Sequence, residues 1–162
     1  MSSAYRITFV CMGNICRSPT ADGVMRHKVA TRHWQDQIVV DSAGTHAFHV
    51  GEAPDRRSQM HARRRGYDLS GLRARQLTAL DFEQSDLVLV MDWDNLALAE
   101  TLCPPGQEHK LKRLTEFCLQ HESPVVPDPY HEGEAGFEHV LDLIEDACEG
   151  LLVHLAGLPP RP

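Results

Sequence analysis

A chain of 162 residues with 42% hydrophobic and 24% charged side chains is sized for one domain and composed to pack a core, which excludes global disorder. Its net charge of −7 argues against a general nucleic-acid binder. No stretch approaches the roughly 20 apolar residues of a membrane span, and five cysteines without a C-x-x-C pair suit neither a disulfide framework nor structural zinc.

Tyr5 to Val10 is a run of β-branched and aromatic residues and predicts a strand. It enters a turn-like segment, Cys11 to Arg17, with Gly13 and Asn14 inside it. Ser18-Pro19 then predicts a helix start, Ser as N-cap and Pro at the first helical position, with the helix reaching about Arg32. A second strand is expected over Gln37 to Asp41, closed by Ser42-Ala43-Gly44, and a helix with a basic face after Pro54, stopped at Gly66. Asp86 to Met91 is continuously apolar after its first residue, as in a strand covered on both faces. A helix over Asp94 to Leu102 and a weak fourth strand at Lys110 to Leu114 follow. The prolines of Val125 to Gly133 read as a loop, and the helical period from Phe137 to Leu155 predicts a long amphipathic closing helix. Strands alternating with helices imply an α/β domain with a parallel sheet, spanning 1–156 and followed by a Pro-rich, frayed tail at 157–162. The N-terminus lacks a basic region leading into an apolar core, so no secretory signal is expected and the cytoplasm is the default compartment.

Ligands of such sheets sit beyond the carboxyl ends of the strands, where the Cys11 loop falls. Cysteine and arginine six positions apart, between a strand and a helix, suit a loop whose N–H groups curl around a tetrahedral dianion. The helix dipole points at the same place. Gly13 is expected to supply backbone angles that a side chain resists. Arg17 can close the cradle with a bidentate fork. Cys11 at its base would be favoured as the thiolate, a nucleophile for phosphoryl transfer. No G-x-x-x-x-G-K-[ST] pattern occurs, which removes a nucleotide P-loop. Cleavage needs a proton donor, and Asp128, stiffened between Pro127 and Pro129, is the candidate; by itself it reads equally as a turn aspartate. The ten histidines show no metal spacing and are expected mostly at the surface. Charge is uneven: residues 1–80 carry 12 basic and 6 acidic side chains, residues 81–162 carry 4 and 17. A basic front half suits an anionic ligand, or is a chance distribution on a solvated surface.

On these residues the sequence resembles the low-molecular-weight protein tyrosine phosphatases. The likeness runs over roughly residues 4–155. It is carried by Cys11-Met12-Gly13-Asn14-Ile15-Cys16-Arg17-Ser18-Pro19-Thr20-Ala21, Asp41-Ser42-Ala43-Gly44-Thr45, and His49-Val50-Gly51 with Asp55 and Arg57. It continues through Ala74-Arg75-Gln76-Leu77, Asp81-Phe82, Met91-Asp92 and Asp128-Pro129-Tyr130. The resemblance implies a four-stranded parallel sheet flanked by helices and hydrolysis of phosphotyrosine on proteins, without metal or cofactor. Carried over by position, Cys11 forms a phosphocysteine, Arg17 binds phosphate and Asp128 is the general acid and then base, which implies a rate peaking at acidic pH. Met12, Gly13, Asn14, Ile15, Cys16 and Ser18 would surround the phosphate. Asn14 would hold the loop, and Ser18 would bond the Cys11 sulfur. Tyr130 would form part of an aromatic wall beside the substrate ring, and Phe48 stands where many bacterial members carry tryptophan, which keeps an aromatic wall with a changed shape. Cys16 matches a cysteine able to form a reversible disulfide with the nucleophile, or is a small packing residue. His131 stands where animal members often have a second tyrosine. The implied partner is a phosphotyrosine protein, a tyrosine kinase among the candidates, and a monomer is expected.

Alternatives remain at this point. A thioredoxin-coupled arsenate reductase shares the fold and loop but needs two further relay cysteines, and residues 80–92 hold none. Members of the protein arginine phosphatase branch tend to carry threonine where Ile15 stands. A phosphate-binding module without turnover would be favoured by loss of Cys11 or Asp128, and both are present.

Overall fold

A computed structural model describes residues 4–159; the last three residues of the proline-rich tail lie outside them. Four strands, β1 (Tyr5–Cys11), β2 (Ile38–Gly44), β3 (Leu87–Val90) and β4 (Leu111–Arg113), form one parallel sheet in the order β2-β1-β3-β4. Five helices connect and cover them: α1 (Arg17–Thr31), α2 (Arg56–Arg64), α3 (Ala79–Gln84), α4 (Trp93–Leu102) and α5 (Glu134–Ala156). Successive side chains of a strand alternate between faces, so each strand feeds two cores. Ile7, Phe9, Leu87, Leu89 and Met91 pack under α1 and α5, while Val10, Val88 and Val90 pack with Phe82 of α3 and Ala99 of α4. All four residues of β3 are buried, as a strand covered on both faces requires.

Three local expectations are corrected. α1 begins at Arg17 with Cys16 as its N-cap and no capping side chain, so Ser18 is inside the first turn and its hydroxyl is used elsewhere. β2 does not stop at Asp41 but continues to Gly44, pairing as far as Cys11. An element also stands where none is expected: α3, whose start carries a capping box of Thr78 and Asp81, a signal present in the sequence.

Packing accounts for part of the charge asymmetry. Arg65, near the end of α2, meets Glu138, Asp142 and Glu145 of α5 at 2.7, 3.0 and 2.5 Å, and Lys28 of α1 meets Glu149 at 2.5 Å. Most histidines are exposed, as expected, but His61 is buried and bonded to Glu138. Lys28, Arg32, Arg64 and Arg65 of the basic front half therefore face the acidic closing helix.

Candidate active site

Cys11 ends β1 with its side chain buried beneath the loop that follows. The loop is held from outside by its carbonyls. Cys11 O accepts from Thr45 N at 2.9 Å, Met12 O from His46 N at 2.9 Å, and Ile15 O from Asp55 N at 2.8 Å. Among the described residues, no protein group accepts from the N–H groups of Met12 through Ser18. With these three carbonyls engaged outside the loop, the consecutive N–H donors and the first turn of α1 are left available to an oxyanion.

The strained position is Asn14, not Gly13: Asn14 has φ +58°, a left-handed conformation that its own side chain secures. Its Nδ2 donates to Ser18 Oγ at 2.7 Å and Ser42 Oγ at 3.1 Å, while its Oδ1 accepts from Arg75 N at 3.0 Å. Ser18 Oγ lies 3.0 Å from Cys11 Sγ and 3.3 Å from Ala43 O. Thus the hydroxyl read as a helix cap serves the sulfur. Gly44 permits this closure. A Cβ there would stand 2.7 Å from Met12 O and 3.1 Å from Asn14 N, so a side chain would push the loop off the sheet edge. At Gly13 the missing side chain instead leaves room for the His49 ring, whose Cδ2 would lie 2.9 Å from a Cβ.

Arg17 is the largest fully buried side chain. Its Nη1 donates to Asp92 Oδ2 at 2.6 Å and to Val126 O at 2.9 Å. That leaves Nε and Nη2, the side-on fork of the guanidinium, free of protein acceptors among the described residues. Asp92 also caps α4 through Asn95 N at 2.8 Å, so a carboxylate at the end of β3 both starts a helix and aims the arginine. Asp128 Oδ2 lies 3.9 Å from Arg17 Nη2, and its Oδ1 accepts from Tyr130 N at 3.0 Å. The Asp128 side chain is 47% exposed, against 2% for Arg17, as expected of a group at the mouth of a site whose floor is the arginine.

The matching family model is that of the low molecular weight phosphotyrosine protein phosphatases, over residues 6–158. The chain belongs to this family. It is 46% identical over 151 residues to a Synechocystis protein assigned by name to the low molecular weight protein-tyrosine-phosphatases, covering 93% of this chain and 96% of that one. The crystal structure of an Entamoeba histolytica protein tyrosine phosphatase superposes with a TM-score of 0.91 at 37% identity, covering 94% of this chain and 97% of that one. A Drosophila protein described as an arginine phosphatase superposes at 0.86 with 31% identity, over 98% of this chain and 100% of that one.

The fold of the family brings Cys11, Asn14, Arg17, Ser18 and Asp128 together from β1, α1 and the loop before α5. Tyr130 sits at the same mouth: the Arg57 guanidinium lies 5.0 Å from its ring centroid and donates to its carbonyl at 2.8 Å. Arg57 also pairs with Asp55 at 3.0 Å, tying α2 to the Asp128 loop. Phe48 is 70% exposed and stacks on His46 at 4.9 Å, so it stands outside the buried constellation. Met12 is exposed on the rim. Burial pushes the Cys16 thiol up to about 12, helped by the Asp55 carboxylate, which keeps it protonated near neutral pH. The residues that sequence reasoning left without a role are Asp92, Ser42, Gly44, Arg57 and Arg75. Among the described residues there is no cluster of three or more His, Cys, Asp or Glu able to hold a metal, and no helix long and apolar enough to cross a membrane.

Proposed function

We propose that this chain hydrolyses phosphotyrosine on proteins through a phosphocysteine formed on Cys11. One observation carries the assignment of roles: the Cys11 sulfur lies beneath unpartnered N–H donors with Ser18 Oγ at 3.0 Å, and the Arg17 fork and Asp128 converge on the same mouth. In the first step the Cys11 thiolate attacks phosphorus, the ester P–O bond breaks, and Asp128 gives its proton to the departing phenolate. In the second, Asp128 takes a proton from water as that water attacks phosphorus. The P–S bond breaks, Ser18 Oγ bonds the leaving sulfur, and inorganic phosphate is released. The Nε–Nη2 fork of Arg17 binds two phosphoryl oxygens throughout, while Asp92 and Val126 O hold the other guanidinium nitrogen. Apart from the attacking water, every group the cycle uses belongs to the chain, so as written it calls on neither metal nor cofactor.

The partner is a phosphotyrosine-bearing protein, with an autophosphorylated tyrosine kinase as the candidate, and the protein acts as a cytoplasmic monomer. The arginine phosphatase description of one structural neighbour defines the competing substrate, and the apolar Ile15 beside the phosphate favours the aromatic ester. Phosphate release should be measured on peptides alike except for phosphotyrosine, phosphoserine or phosphoarginine. The phosphotyrosyl peptide is expected to exceed each of the others by at least about 100-fold in kcat/KM. A faster phosphoarginyl peptide would reassign the substrate.

Cys16 gives the site a redox response. Peroxide converts the Cys11 thiolate to a sulfenic acid, and the Cys16 thiol then displaces its oxygen as water to leave a disulfide. Both cysteines are free and buried in the reduced protein. Mild peroxide should therefore inactivate reversibly, with dithiothreitol restoring activity and mass mapping locating a Cys11–Cys16 link. Cys16→Ser should make the same loss irreversible. Over-oxidised Cys11 with Cys16 still free in the unaltered protein would reject this role.

A further inference from the structure

Asp92 aims Arg17, and the residue after it, Trp93, opens α4 with its large ring 53% exposed. The guanidinium of Arg113 lies over that ring, 4.2 Å from its centroid. Arg113 in turn donates from Nη1 to Pro124 O at 2.7 Å, two residues before Val126, whose carbonyl accepts from Arg17. The two arginines are thus tied to each other twice, through Asp92-Trp93 on one side and through residues 124–126 on the other. Register gives the distance: Val90 pairs with Val10 and with Arg113, so Arg113 is level with the residue before Cys11 and two strands away. At the usual strand spacing this is about 10 Å.

Arg113 differs from the other arginines around the site. Arg17, Arg57 and Arg75 each face a carboxylate within 3.1 Å. Among the described residues, the Arg113 guanidinium has no carboxylate within ion-pair distance: Glu116 bonds its backbone N–H at 2.8 Å, not its side chain. A planar cation stacked on an aromatic ring, with only one of its nitrogens engaged, is a preorganised half of a salt bridge.

We propose that Trp93 and Arg113 form a substrate-specificity platform that receives an acidic side chain of the phosphotyrosine-bearing protein. This rests on the phosphotyrosine phosphatase reading above. An extended peptide advances about 3.3 Å per residue, so the acid lies within three positions of the phosphotyrosine. Trp93 contributes by holding the guanidinium flat at the rim, and the apolar stem of the acidic residue covers the exposed edge of the ring.

The test compares kcat/KM for phosphotyrosyl peptides carrying Glu or Gln at each of the three positions on either side. The unaltered protein should prefer Glu about five- to tenfold at one or more of these positions. Arg113→Ala should bring that ratio below about twofold, Arg113→Lys should keep part of it, and Arg113→Glu should make a Lys-bearing peptide the better substrate. Trp93→Ala should lower the ratio and Trp93→Phe should retain it. Misfolding cannot invert a preference, so the charge reversal separates recognition from stability. No Glu preference in the unaltered protein, or one that survives both Arg113→Ala and Arg113→Glu, overturns the platform. Hydrolysis of p-nitrophenyl phosphate by the unaltered protein is followed in parallel. Its absence would overturn the phosphatase reading itself, whereas its presence without acid preference would overturn the platform alone.

Discussion

Replacing Cys11 with serine should lower turnover of any aryl phosphate by at least about 10⁴-fold, about 5.5 kcal/mol of transition-state stabilisation. The exchange is nearly isosteric in a buried position beside Ser18, so the loop should keep its shape. What is lost is a sulfur nucleophile, and a serine hydroxyl near neutral pH is a poor replacement. Binding should survive, because the donors facing the anion are backbone N–H groups and the Arg17 fork, neither of which the exchange touches. Titration calorimetry with a phosphotyrosyl peptide should give a Kd within about threefold of that extrapolated for the active protein, since that difference is under 1 kcal/mol. Retained turnover would place bond formation on another residue. Loss of both turnover and binding would mean that the sulfur organises the loop as well as attacking, which the Asn14–Ser18–Ser42 bonds argue against.

The sequence carried the chemistry of this loop because its parts are local. A cysteine, an arginine and a helix start lie within a few residues, and the strand before them is short and apolar. What it could not carry were contacts across the chain. Ser18 was a reasonable N-cap by its type and by the proline after it, but the buried sulfur and the Asn14 amide compete for the same hydroxyl and take it. Gly13 looked like the residue that relieves strain, yet the left-handed position is Asn14, whose side-chain bonds reach Ser42 and Arg75 N from distant segments. Gly44 is needed because another segment passes against it, which no local pattern records. Asp92 is legible only as a carboxylate at the end of a buried strand, and its pairing with Arg17 spans 75 positions. The excess of arginine in the first half suggested an anionic ligand. Arg32, Arg64 and Arg65 answer carboxylates of α5 and Arg6, Arg26, Arg57 and Arg75 answer aspartates elsewhere, while the proposed anion site uses one buried arginine and uncharged N–H groups.

Asp128→Asn should separate the two ester classes. Asparagine keeps the shape of the side chain and an oxygen to accept from Tyr130 N at 3.0 Å, so the loop position is preserved, but it has no proton to give. Tyrosine leaves as a phenolate whose conjugate acid has a pKa of about 10, and such a group depends on protonation as the P–O bond breaks. Phosphotyrosine hydrolysis should fall by about 10²- to 10³-fold, within the usual range for loss of a general acid. An ester of a much more acidic phenol needs little help in the first step and should lose less than about tenfold in its initial release. The second step then shows the other half of the role. Water attacking the phosphocysteine has lost its base, so rapid mixing with the activated ester should give a burst of about one phenol per protein followed by slow turnover. The accumulated phosphocysteine is detectable by intact mass. Equal slowing of both esters with no burst would remove Asp128 from proton transfer. The 3.9 Å approach of its carboxylate to Arg17 would then serve only to hold the loop.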